Sequence, residues 1–211
     1  MGNLFTKMAE WAGNTLAKMK DIALEGVEMA ESADGVTKAF RAIDDGTMLD
    51  KLRKSTKDTV TDLDLMKAAV QAKDFRIPLE DLGKYLQFAQ LKAQQTGQSV
   101  DYMTQSIVTG LGRKSVMILD NLGLSAAEIN EEMAKTGDFM SAVASIVDKQ
   151  LAAAGDNYVS AADRAMQKSV EFKNAQRELG ETLLPLKEKW DDVYGGMEIG
   201  TMELIGWIVK H

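Results

Sequence analysis

Few residues in this sequence have the type and spacing that chemistry requires. Gly110-Leu111-Gly112-Arg113-Lys114-Ser115 has the outline of a phosphate-binding loop. Such a loop needs a glycine directly before its Lys-Ser pair, so that backbone amides wrap the phosphate, and it needs a preceding strand. Arg113 occupies that glycine position and both flanks have helical patterning, so the segment reads as a joint between two helices. The carboxylate pairs Glu131-Glu132, Asp191-Asp192 and Glu178 with Glu181 could serve as general acid and base only if one member were desolvated in a cleft. Their spacing places them on the polar faces of amphipathic helices, where a solvated face is expected. Asp120-Asn121 reads as a hydrogen-bonding pair at a helix end. The only histidine is His211 and there is no cysteine. Ser/His/Asp and Cys/His centres, thiolate metal sites and disulfides are therefore excluded for this chain alone. No catalytic, cofactor-binding or metal-ligating residue is assigned, and a non-enzymatic protein is expected.

What remains to be positioned is apolar surface, and helical periodicity positions it. From the start of the chain, Leu4, Met8, Trp11, Met19, Ile22, Met29, Val36 and Phe40 recur at steps that sum from threes and fours. That is the stripe of a long heptad-patterned helix, the seam of a coiled coil or bundle. Gly13, Gly26 and Gly35 interrupt it, each costing about 1 kcal/mol relative to alanine. Asp44-Asp45-Gly46 supplies turn chemistry to end it. A second stripe runs through Phe172, Leu179, Leu183, Leu186, Trp190 and Val193, with Pro185 inside it and a kink or short break expected there. The two stripes are expected to be buried against each other, packed antiparallel, or against other copies of the chain. Gly195-Gly196 then interrupts the helix before an apolar tail, Met197–His211.

Between the stripes the pattern changes to short helices punctuated by glycine. Thr61 with Asp64 and Ser125 with Glu128 read as capping boxes. Pro78 suits a first helical position, and Gly97, Gly123, Gly137 and Gly155 suit left-handed C-terminal caps. The expected helices are Thr61–Asp74, Pro78–Thr96, Ser99–Leu111, Lys114–Leu122, Ser125–Thr136 and Asp138–Ala154. The expected fold is all-α: a long N-terminal amphipathic helix (1–46), a compact bundle of short helices (47–155), and a long C-terminal helix with an apolar tail (156–211).

Composition agrees with a folded helical chain. It is 45% hydrophobic and 27% charged, with 13 methionines that suit adaptable helix–helix packing and only two prolines. The net charge is −7 and no third of the chain has a basic excess, which argues against a phosphate-tracking surface for nucleic acid. The apolar tail leaves room for a different class of function, a membrane-active helical protein such as a pore-forming or effector domain. At about 15 residues the tail is shorter than the roughly 20 that span a bilayer.

Linked blocks in the middle of the chain bear on function. Lys51-Leu52-Arg53-Lys54-Ser55-Thr56 leads into Thr59-Val60-Thr61-Asp62-Leu63-Asp64-Leu65-Met66-Lys67-Ala68-Ala69. Phe88-Ala89, Gly97-Gln98-Ser99-Val100 and Gly110–Leu124 follow. This order, over about residues 49–128, resembles a segment of the tape measure proteins of tailed bacteriophages and prophages. The resemblance implies a virion structural protein: very long, mostly helical, lying inside the tail tube, setting tail length during assembly and leaving the virion ahead of DNA. It implies as partners other copies of the chain and the tube, tip and assembly-chaperone proteins, with membrane contact in the full-length protein. It implies a location in the virion tail, after assembly in the host cytoplasm. It brings no catalytic residue and no cofactor. This chain is far shorter than such proteins, so it reads as a fragment.

Overall fold

The computed structural model describes the backbone of residues 2–155 and 161–194, and the side chains of residues 17–155 and 163–189. Among the described residues there are nine α-helices, one 3-10 turn and no strand, so the chain is all-α. The helices are α1 (Gly2–Arg41), α2 (Met48–Ser55), α3 (Asp62–Asp74), α4 (Leu79–Thr96), α5 (Val100–Gly112), α6 (Val116–Leu119), α7 (Ala126–Thr136), α8 (Phe139–Ala154) and α9 (Ala161–Tyr194). The 3-10 turn Asp120–Leu122 extends α6. Two compact units result. One takes Met1–Asp34 with Phe172–His211, and the other takes Gly35–Glu171. The division falls inside the two long helices, at neither of the boundaries expected from turn chemistry.

The 35–171 unit is built on local signals. Side-chain oxygens of Thr61, Ser99, Ser115, Ser125 and Asp138 accept the backbone N–H three residues on, starting α3, α5, α6, α7 and α8. Each satisfies one amide that the first helical turn leaves without a partner. Gly97 and Gly137 end α4 and α7 in the left-handed conformation, and Gly123 does the same for the 3-10 turn. Gly155 has positive φ but an extended ψ, so it ends α8 without a left-handed cap. Pro78 is the residue before α4, one position earlier than expected, and α2 lies in a stretch left unassigned by periodicity.

Apolar faces close over one core. Leu65, Leu82, Leu86, Phe88, Ile107 and Val143 are fully buried within it, and Phe40 at the end of α1 joins them. Gly110 and Gly112 are packing glycines. A Cβ on Gly112 would sit 2.1 Å from the Phe75 ring, and one on Gly110 would sit 2.5 Å from Leu119. The outline of a phosphate loop is thus a helix joint in which glycine lets α5 approach neighbouring side chains.

One buried ion pair fixes the α2–α3 corner. Arg53 donates Nε to Asp62 Oδ1 at 2.8 Å and Nη2 to Oδ2 at 2.7 Å, a two-pronged fit of guanidinium to carboxylate. Asp62 is fully buried at the start of α3, and its hydrogen bond holds the Arg53 guanidinium well above its ordinary pKa. The chain reaches this pairing through Lys57 and Asp58, two successive non-glycine residues at φ 50° and 56°. Left-handed backbone of that kind persists only where its surroundings over-determine it. Here Asp58 N–H donates to the Arg53 carbonyl, while the buried Thr56 and Thr59 hydroxyls donate to the carbonyls of Leu52 and Thr56.

Candidate interaction surface

The unit formed by 1–34 and 172–211 brings α1 and α9 together through glycine. A Cβ on Gly180 would lie 1.8 Å from the Gly26 carbonyl oxygen, and a Cβ on Gly26 would lie 2.4 Å from the Gln176 carbonyl oxygen. The two backbones are therefore in direct contact, and no other residue fits at either position. Polar links flank the crossing. Gln176 Nε2 donates to the Ile22 carbonyl at 3.2 Å and to Glu25 at 2.7 Å, and Lys187 pairs with Glu31 at 2.8 Å. The partners Ile22–Gln176, Gly26–Gly180 and Glu31–Lys187 advance together along both helices. The contact is parallel, which corrects the antiparallel packing expected from the stripes. Gly26, read from sequence as a weak point, is what permits the approach.

Helix α9 buries polar and apolar residues together, while Arg164, Lys168, Glu171, Lys173 and Glu178 are exposed. Among its described residues the buried ones are Asp163, Val170, Gln176, Arg177 and Gly180, and of these Val170 is the only large apolar one. Arg177 is 5% exposed and pairs with Glu181 one turn on. Met166, Phe172 and Leu179 are 43%, 54% and 42% exposed. A surface helix of a globular protein ordinarily buries its apolar stripe and wets its charges. The helix is unbroken through Pro185, so of the kink or short break expected there the break does not occur.

The expected seam residues divide accordingly. Phe40 is buried, and Ile22, Met29, Val36, Leu183 and Leu186 are half-buried. Met19, Phe172 and Leu179 are exposed, so these three do not face the α1–α9 contact. The physical reason is that backbone contact at Gly26 and Gly180 fixes which faces meet, and Phe172 and Leu179 lie off that face. The side chains of Leu4, Met8, Trp11, Trp190 and Val193 lie outside the described residues, as do Asp191-Asp192 and the segment Gly195–His211. Among the described residues no helix is long and apolar enough to cross a membrane.

The remaining candidates for chemistry resolve into structure. Glu132 is 7% exposed on α7, a correction to the solvated face expected of it. It accepts from Ser145 Oγ and Lys149 Nζ, each at 2.6 Å, which hold its carboxyl down to about 2. Such a group is an anion bound by its own fold, shifted away from the range a general acid needs. Glu131 pairs with Lys135 at 2.8 Å on the exposed side of α7. Asp120 and Asn121 are exposed on the 3-10 turn, as a helix-end pair. A cleft of about 380 Å³ opens between α2 and α4 over Met48, Leu52 and Leu79. Lys51 and Lys84 on its rim are engaged by Asp45 at 3.2 Å and by Asp81 and Asp148 at 3.4 and 3.3 Å. Among the described residues no cluster of histidine, cysteine or carboxylate groups could hold a metal ion.

The signal for the buried polar groups of α9 was present in the sequence. Asp163, Gln167, Asn174, Arg177 and Glu181 also recur at helical spacing, a polar stripe beside the apolar one. Comparison with protein-family models, with curated proteins and with solved structures finds no match to this chain.

Proposed function

We propose that this chain is a structural packing module, a fragment of a phage tail tape measure protein, whose long helices pack with other helices during tail assembly. The observation that carries the reading is the exposure of large apolar side chains on α9. Phe172 and Leu179 stand in water while Gln176 and Arg177 are buried. Exposed aromatic and aliphatic side chains on one helix are the anchors that helix-to-helix association uses. The resemblance of residues 49–128 to tape measure proteins supplies the context, and tube, tip or chaperone proteins and further copies of the chain are the partners it implies. The negative charge and the pairing of Glu131, Glu132, Glu181, Lys51 and Lys84 with neighbours speak for scaffolding over catalysis.

Two experiments test it. Sedimentation of the full chain, alone and with tail proteins of the same particle, should show association that Phe172→Asp with Leu179→Asp removes without unfolding the 35–171 unit. Unchanged sedimentation would remove α9 as a contact surface. In the full-length parent, a helix rises about 1.5 Å per residue. In-frame deletions within long heptad helices should therefore shorten tails in electron micrographs by up to about that amount per residue. Tails of unchanged length would refute the ruler role and leave a helical binding module.

A further inference from the structure

We propose that the first turns of α9, residues 163–171, form a releasable strap on the 35–171 unit, latched by two side-chain amides at the strained α2–α3 corner and at the end of α4. Of these residues Asp163 and Val170 are buried and Gln167 is half-buried, a single stripe at helical spacing. Arg164, Ala165, Met166, Lys168, Ser169 and Glu171 are exposed. Gln94 Nε2 donates to Asp163 Oδ1 at 2.8 Å, and Gln167 Nε2 donates to the Lys57 carbonyl at 2.7 Å. One aliphatic side chain, Val170, is buried beside them.

The chemistry of this contact favours release. An amide hydrogen bond broken on opening is replaced by one to water, so its net contribution is a small part of its strength in isolation. Apolar burial is not replaced in that way, and here it is confined to one valine. Segments with few buried apolar contacts open locally, without global unfolding. Once detached, this stretch keeps its own backbone hydrogen bonds but no packing to support them, and a helix without tertiary packing is marginal in water.

The position of the latch gives the strap a consequence. The carbonyl that Gln167 engages belongs to Lys57, one of the two successive left-handed non-glycine residues. Release removes one of the contacts that hold this strained turn, which also frames the Arg53–Asp62 pair. The inference rests on burial and hydrogen bonding, and it stands whether or not α9 meets a partner in a phage tail.

Hydrogen exchange read by mass spectrometry on the full chain tests it. Amides of residues 167–171 should exchange at least about ten-fold faster than those of 82–91 in α4. Gln94→Leu with Gln167→Leu, or Val170→Asp alone, should speed exchange at 167–171 by about ten-fold again and leave α4 unchanged. Equal protection of the two segments in the unaltered chain would overturn the proposal. So would a variant that loses protection in α4 together with α9, because the segment would then be an integral part of the bundle. If a variant fails to fold, the comparison within the unaltered chain decides.

Discussion

The two units of this protein solve the same packing problem in opposite ways. In the 35–171 unit, capped helices bury leucine, phenylalanine and isoleucine, and charged groups that go inside take partners with them, as Asp62 takes Arg53 and Glu132 takes Lys149. In the unit of α1 and α9, glycine meets glycine, polar side chains flank the contact and part of the apolar surface faces outward. The first arrangement gains its stability from area removed from water. In the second, small residues such as Val27, Ala30 and Ala33 are buried and backbone contact fixes the geometry. Stability and specificity can thus sit in different halves of one chain, and a substitution should show different symptoms in each.

The largest effect should come from the bundle. Arg53→Met leaves the fully buried Asp62 carboxylate without its guanidinium, which should destabilise by about 3–5 kcal/mol in chemical denaturation. A loss under about 1 kcal/mol would mean that the corner is not the buried ion pair described. Next, Gly180→Leu should abolish the α1–α9 contact, seen as lost protection of residues 22–31 in hydrogen exchange, while the 35–171 unit melts as before. A parallel loss of both would erase the distinction between the units. An effect of acid follows. Glu132 is depressed from 4.5 to about 2, chiefly by hydrogen bonds from Lys149 and Ser145. A depressed carboxyl contributes stability that is complete above its unfolded pKa and is lost as pH falls through the folded one. Glu132→Gln should therefore lower the melting temperature at neutral pH and shrink its fall between pH 4.5 and 2. An unchanged acid profile would remove Glu132 from the balance. The smallest effect sharpens the comparison most. Phe172→Ser with Leu179→Ser should change stability by no more than about 0.5 kcal/mol per site, as surface substitutions do. A large loss would show that these side chains are buried after all.

What was legible in the sequence was what local chemistry determines. Thr61, Ser125, Gly97 and Gly137 act within four residues of themselves, and each stands where its type suggests. Helix α2 escaped notice because it is eight residues long and Thr47 makes no side-chain cap. The burial of Glu132 was invisible because Ser145 and Lys149 come from the next helix. The long stripes misled for a related reason. Periodicity reports which residues share a face and is silent on which face is covered. At α9 the covered face is chosen by Gly180, whose role depends on Gly26, 154 positions earlier in the chain. The loop outline at Gly110–Ser115 is a helix joint, so the candidate surface emerged from burial alone.

The contact of Gly26 with Gly180 also acts as a notch. Side-chain seams tolerate slippage, because one leucine replaces another after each heptad. A seam made of backbone does not. Sliding α9 by one turn, about 5.4 Å, would bring Gln176 or Leu184 opposite Gly26, and neither side chain can enter a gap that excludes a single Cβ. A slide of one turn in either direction therefore separates the two backbones at this crossing. The two helices consequently keep a fixed axial index: wherever α1 is held along its length, the position of α9 beside it is known to within a fraction of a turn.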